Sequence, residues 1–189
     1  LPEENLLELP PLDEHASVAR ALANLGRCQV RLGDHEPALK ALRRATEIMQ
    51  TLKGPDHIDV SGMLTGLASA EVFAGQLELG LEHHERALAI RVASLGEDNA
   101  KAAESGVTVA DTQRRLGRHA AARRTLDQWL PVLQDKLGDE HPYVAQALVN
   151  RGLLQLDAGK TDEALATFET ARGLARGVGP AHPSRAPPA

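Results

Sequence analysis

The stretch LGDEHP, residues 137–142, sets Asp139, Glu140 and His141 side by side between a glycine and a proline. Three ionisable groups so close together could begin an acid–base or metal site, or they could mark a junction between structural elements. The rest of the chain decides between these readings. Related strings stand at residues 52–57 (LKGPDH), 95–100 (LGEDNA) and 178–183 (VGPAHP), with a diverged form at 11–16 (PLDEHA). The glycines in this series are Gly54, Gly96, Gly138 and Gly179, and the first three are 42 residues apart. A second series, Gly33, Gly75, Gly117 and Gly159, keeps the same step of 42 throughout. Two sets of punctuation in step over four copies indicate an internal repeat.

Between the glycines the pattern is helical. Val18, Leu22, Leu25, Gln29 and Leu32 recur at spacings of three and four, as do Ala38, Leu42, Ala45, Met49 and Leu52. Such spacings gather side chains on one face of a helix. Glycine supplies the left-handed backbone that closes a helix and turns the chain. Asp34 and Thr161 stand where N-caps of second helices belong. Each repeat is therefore read as a helix A, a tight turn and a helix B. The A helices are placed at 15–32, 57–74, 99–116 and 141–158, and the B helices at 35–53, 77–95, 119–137 and 161–177. No segment reads as a strand.

Small residues recur in the A helices at Gly26, Ala68, Ala110 and Gly152, and in the B helices at Ala38, Gly80, Ala122 and Ala164. With the 42-residue period and the LGDEHP junction, the chain resembles a tetratricopeptide repeat (TPR) array of the kinesin-light-chain type. The resemblance covers residues 12–179, as four repeats at about 12–54, 55–96, 97–138 and 139–179. It implies an all-α, right-handed superhelical α-solenoid of four antiparallel helix pairs. In such arrays the A helices line a concave groove for peptides or partner proteins. The physics agrees, because a helical hairpin cannot bury its apolar face alone and repeats must stack. Residues 1–11 are read as an extension or the end of a preceding helix, and 180–189 as a disordered Pro/Ala-rich tail. Opening on Leu1 rather than Met, the chain is expected to be a piece of a longer protein.

The third repeat departs from the pattern in two places. Gly106 replaces the leucine found at Leu22, Leu64 and Leu148, and Trp129 replaces the alanine found at Ala45, Ala87 and Ala171. The Trp129 indole is predicted to fill the space at Gly106. Pro131, inside a B helix, is expected to kink it.

Composition narrows the function. The formal net charge of −5 argues against nucleic-acid binding by the whole surface. No apolar run reaches the roughly 20 residues of a membrane-spanning helix. The lone Cys28 excludes an internal disulfide framework and favours a reducing, cytoplasmic setting. His15, His57 and His141 share one repeat position, with Asn99 in the third copy. Successive repeats lie about 8–10 Å apart, whereas ligand bonds to a metal are about 2 Å long, so these side chains do not share an ion. They are read instead as starts of A helices. Cys28 is read as a small buried hydrophobe. No nucleophile elbow, phosphate loop, zinc spacing or cofactor motif occurs, and the chain is not read as an enzyme.

The register of the family resemblance places Arg20, Asn24, Arg27 and Arg31 on the groove face of the first A helix. It places Ser69 and Phe73 on the second, Asp111 and Arg115 on the third, and Asn150, Leu153 and Asp157 on the fourth. Asn24 and Asn150 match the recurrent groove asparagine of light-chain-type repeats, but Gly66 and Thr108 do not. The Lys/Asn carboxylate clamp of chaperone-binding TPR proteins is not reproduced. Arg20, Arg27 and Arg31 form a basic stripe suited to an acidic segment of a partner, because guanidinium pairs bidentately with carboxylate. The expected function is a protein- or peptide-binding scaffold without cofactor. Two alternatives stand beside it: a ligand-responsive regulatory domain of a signalling protein, and self-association through the ends of the solenoid.

Overall fold

A computed structural model describes residues 15–175. Eight helices follow one another: α1 (Ala16–Leu32), α2 (His35–Lys53), α3 (Ile58–Phe73), α4 (Leu77–Leu95), α5 (Ala100–Arg115), α6 (His119–Leu137), α7 (Pro142–Asp157) and α8 (Thr161–Ala175). Among the described residues all regular structure is helical, and each helix begins and ends within about two residues of its sequence-based placement. The expectations for residues 1–11 and 180–189, and for the last two residues of the final B helix, lie outside the described residues. The chain forms two compact units, Leu1–Ser94 and Leu95–Ala189.

The helix ends explain the two glycine series. At each A-to-B turn two backbone bonds close a Schellman motif, for example Asp34 N–H to the Gln29 carbonyl (3.0 Å) and Gly33 N–H to that of Val30 (3.1 Å). The same pair recurs at Gly75, Gly117 and Gly159. Gly33 is left-handed, with φ 84° and ψ 7°. The junction glycines differ: Gly138 has φ 80° and ψ 157°, a region essentially closed to any residue with a Cβ. Behind it His141 caps α7, its Nδ1 accepting from the Tyr143 N–H at 3.3 Å. His57 does the same for α3, accepting from Asp59 N–H at 3.1 Å, and Asn99 for α5, accepting from Lys101 N–H at 2.8 Å. The histidines of the LGDEHP series are thus helix caps, although His15 makes no side-chain capping bond.

Two N-cap expectations require correction. Asp34 holds the N-cap position of α2 without a side-chain capping bond, and Thr161 is already the first helical residue of α8. Ahead of α8, Lys160 Nζ donates to the Glu163 carboxylate at 2.9 Å.

Within each unit the small positions let paired helices approach closely. A Cβ at Gly26 would lie 2.6 Å from Leu42 Cγ, and one at Gly80 would lie 2.6 Å from Val72 Cγ2. In unit 1, Ile48, Met49, Val60, Leu64 and Ile90 form one buried cluster, and Leu39, Leu42 and Leu67 form another. The apolar stripe expected on α1 is displaced. Its buried residues are Ala19, Ala23 and Gly26, while Leu25 is 51% and Leu32 76% exposed. The side of α1 that meets α2 and α3 is the small-residue side, and among the described residues no helix covers Leu25 and Leu32. Cys28 is likewise exposed, not buried, because it lies on neither of the packed faces.

In unit 2, Trp129 is buried and its indole occupies the site of the missing leucine. A Cβ at Gly106 would fall only 2.1 Å from Trp129 Cδ1. Helix α6 runs unbroken through Pro131. Trp129→Ala is expected to destabilise unit 2 by about 3–5 kcal/mol, and Gly106→Leu to destabilise it by overpacking. Combining the two restores the pattern of the other repeats, so the double variant should lose less than the sum of the single losses in urea denaturation; strict additivity would overturn the pairing. His141→Ala should cost α7 about 1 kcal/mol by the same measurement, while His141→Asn, which keeps a capping acceptor, should cost less.

Candidate functional site

The candidate residues of unit 1 gather around one feature. An open concavity of about 950 Å³ is bordered by Asn24, Arg27, Cys28 and Arg31 of α1 and by Thr65, Ser69 and Phe73 of α3. Asn24, Cys28 and Arg31 lie at spacings of four and three, one face of α1, and Arg27 sits beside them. Arg27 donates through Nη2 to Asn24 Oδ1. Among the described residues neither Arg27 nor Arg31 has a carboxylate partner. Thr65 and Ser69 donate their hydroxyl protons to their own helix, to the Ser61 and Thr65 carbonyls at 2.8 and 2.9 Å. Their oxygens therefore offer lone pairs. Phe73, at the position of α3 equivalent to Arg31, is 62% exposed. Arg20 is exposed one turn nearer the start of α1 and does not border the concavity.

One further lining residue belongs to a B helix. Arg91 of α4 borders the same concavity, its Nε donating to Ser61 Oγ at 3.1 Å. Confining the groove to A helices overlooks it. The available signal was Gly62, which stands on α3 at the repeat position of Arg20 and leaves open space where a side chain would be.

Unit 1 also contains buried polar groups. Glu71 of α3 is fully buried and accepts from or pairs with His83 of α4 at 2.7 Å, and lies 4.0 Å from Arg43 of α2, so one carboxylate joins three helices. His84 is also buried, and its pKa is lowered to about 4. Burial strips water from the imidazolium and is the main cause; repulsion from His83 and Arg91 adds to it, and a hydrogen bond to the Thr65 backbone opposes it.

In unit 2 the candidates are placed differently. Asp111 pairs with Arg114 at 3.2 Å, and Asp157 lies 3.4 Å from His119. Arg115 is exposed and Leu153 half-buried. Asn150 is only 4% exposed, and its Nδ2 has no hydrogen-bond partner. A small cavity of about 140 Å³ between α6, α7 and α8 is lined by none of them. Two of its lining charges are paired with acids, Arg151 with Asp127 at 3.0 Å and Lys160 with Glu163 at 2.9 Å. Among the described residues no group of three or more His, Cys, Asp or Glu side chains could hold a metal ion. No described helix is long and apolar enough to cross a membrane.

The stability of unit 1 is expected to fall in acid because of His84. Its folded pKa lies below the unfolded value of 6.5, so the unfolded chain binds a proton that the folded chain refuses. This contribution is complete above pH 6.5 and is lost as the pH falls towards about 4, at about 1.4 kcal/mol per pH unit and ~3 kcal/mol in all. Urea midpoints across this window should fall less steeply for His84→Gln than for the parent; equal slopes would exclude His84 as the source.

Comparison with known proteins follows the same lines. The family model described as tetratricopeptide repeat matches residues 11–51, 59–135 and 107–177. Among solved structures, that of Podosopora anserina kinesin light chain TPR-like repeats is similar with a TM-score of 0.74 at 24% identity, covering 91% of this chain and 82% of that one. The crystal structure of BtubC (BKLC) from P. vanneervenii gives a TM-score of 0.72 at 21% identity, covering 91% and 66%. Both are likenesses of fold. A clustered mitochondria protein homolog of Culex quinquefasciatus is 30% identical over 104 residues, 55% of this chain and 8% of that protein. The Aedes aegypti homolog is also 30% identical over 104 residues, with 7% of its length matched, so the chain spans less than a tenth of the curated relatives.

Proposed function

The chain belongs to the tetratricopeptide repeat family, and on that footing we propose that it is a non-catalytic scaffold that binds an acidic segment of a partner protein along the A-helix groove. The observation that carries this reading is the pair of arginines, Arg27 and Arg31, on the border of a concavity with no carboxylate partner among the described residues. Two like charges left unneutralised at a concave surface raise the local concentration of anionic segments and favour bidentate pairing with them. Other basic groups of the molecule are paired, as Arg114 with Asp111, Arg151 with Asp127 and Lys160 with Glu163. Asn24, Ser69 and Phe73 supply polar and apolar contacts beside the arginines, and Arg20 extends the basic stripe along α1. Arg115, Asp111, Asn150, Leu153 and Asp157 are proposed as the corresponding contacts of unit 2. There the free amide of Asn150 would donate to a peptide carbonyl. The setting proposed is cytoplasmic.

The exposed Leu25 and Leu32 of α1 favour self-association as the second reading, which light scattering across a range of concentrations separates from a monomeric scaffold.

Charge reversal tests the main reading. An acidic, leucine-flanked peptide should bind the parent chain with an affinity that falls as salt rises. Arg27→Glu with Arg31→Glu should reduce that affinity by at least about a hundredfold, since each lost charge-assisted pair is worth about 1.5–3 kcal/mol. Both positions are exposed, so the helical circular dichroism should not change. Unaltered affinity would reject the site.

A further inference from the structure

We infer that the chain's own residues 5–9, NLLEL, dock on the first half of the apolar stripe of α1, with Leu6 and Leu7 covering Val18 and Leu22. None of the proposed groove residues takes part in this contact.

Helix α3 shows what such a stripe needs. Its Val60 and Leu64 lie in one buried cluster with Ile48 and Met49 of α2, the B helix just before it, and with Ala87 and Ile90 of α4. One repeat step of 42 residues earlier, the same six positions hold Leu6, Leu7, Val18, Leu22, Ala45 and Ile48, all apolar. Val60 and Leu64 are 0% and 1% exposed, whereas their counterparts Val18 and Leu22 are only half-buried. In unit 2, Leu133, Val144 and Leu148 stand at the positions of Leu7, Val18 and Leu22, and they too are buried. The cover that α1 lacks among the described residues is therefore the pair at positions 6 and 7, where the sequence has two leucines.

The chain's own segment suits the stripe better than a second copy does. Leu7 precedes Val18 by the same 11 residues that separate Met49 from Val60, so the connection is long enough to bring them together. A tethered segment acts at an effective concentration on the order of millimolar, which a separate copy reaches only in concentrated solution. Burial of two leucine side chains against apolar neighbours supplies the driving force. Leu9 stands where Thr51, Ala93 and Asp135 are exposed, so it faces solvent. Glu3 and Glu4 stand where Ala45 and Thr46 are buried. An unpaired carboxylate resists burial, so the docked part starts after them. Pro10, which has no N–H, closes it on the other side. Leu12 replaces the corner glycine Gly54, so the connection to α1 turns by another route. Leu25 and Leu32, farther along α1, stay uncovered.

Amide hydrogen exchange and urea denaturation of the 189-residue chain test the contact. The amides of Leu7, Glu8 and Leu9 should exchange about tenfold or more slowly than in a free peptide of residues 1–14, and Leu7→Glu should abolish that protection. Exchange at the free-peptide rate would overturn the docking. Leu7→Ala and Leu22→Ala should each lower the urea midpoint, and the double variant should lower it by less than the two shifts together. Leu9→Ala should leave the midpoint unchanged and show no coupling to Leu22→Ala. Strict additivity of Leu7→Ala with Leu22→Ala would overturn the pairing. Protection that grows with protein concentration, together with a rise in scattered mass, would assign the stripe to a second copy and overturn the intrachain contact.

Discussion

Each reversal of this chain depends on a backbone conformation that L side chains avoid, and the repeat follows from that constraint. All seven described glycines of the two series have positive φ. At the A-to-B turns the conformation is left-handed and closes a Schellman motif. At Gly54 and Gly138 the glycine instead turns to ψ near 155°, and the chain leaves the B helix extended towards its next cap. One residue type thus makes two different corners. Because a corner that tolerates only glycine cannot drift along the sequence, helix lengths stay fixed and the small positions of paired helices meet in register. The close approaches at Gly26 and Gly80 depend on that register.

The same economy of side chains shapes the surface. Where a glycine faces a neighbouring helix, as at Gly106, its empty volume is taken by a partner, here the Trp129 indole. Where a glycine faces solvent, as at Gly62, the volume remains open. The first case is packing: a void in the core loses dispersion contacts on every side, and a large neighbour restores them. The second leaves a concavity, on whose border Arg27 and Arg31 have no carboxylate partner among the described residues. In unit 2, two basic residues that line the small cavity, Arg151 and Lys160, are paired with acids.

Polar groups inside unit 1 add a further constraint. Glu71 is buried with His83 and the more distant Arg43 to balance it, and burial keeps His84 neutral. Such groups stabilise the fold only while their partners stay in place and their protonation suits the interior. His83 and His84 lie on α4, the helix that also carries Arg91.

Periodicity, helix limits, the capping role of His57, Asn99 and His141, and the Trp129–Gly106 exchange were all legible in the residues. Each depends on interactions within a turn or between two helices whose register the repeat already states. The misreadings have one source. Leu25, Leu32 and Cys28 were judged from their own helix, yet burial depends on which face a neighbour covers, and α1 is covered along Ala19, Ala23 and Gly26. Thr161 was misplaced by one residue, within the ordinary uncertainty of a helix end. Arg91 was overlooked because the A-helix register says nothing about a long B-helix side chain anchored on Ser61. Local order was therefore written in the sequence, because glycine corners, caps and apolar spacing act over a few residues. Which arginines border one concavity was decided only when the helices packed, because Arg27 and Arg31 of α1 and Arg91 of α4 are brought to it from positions far apart in the chain.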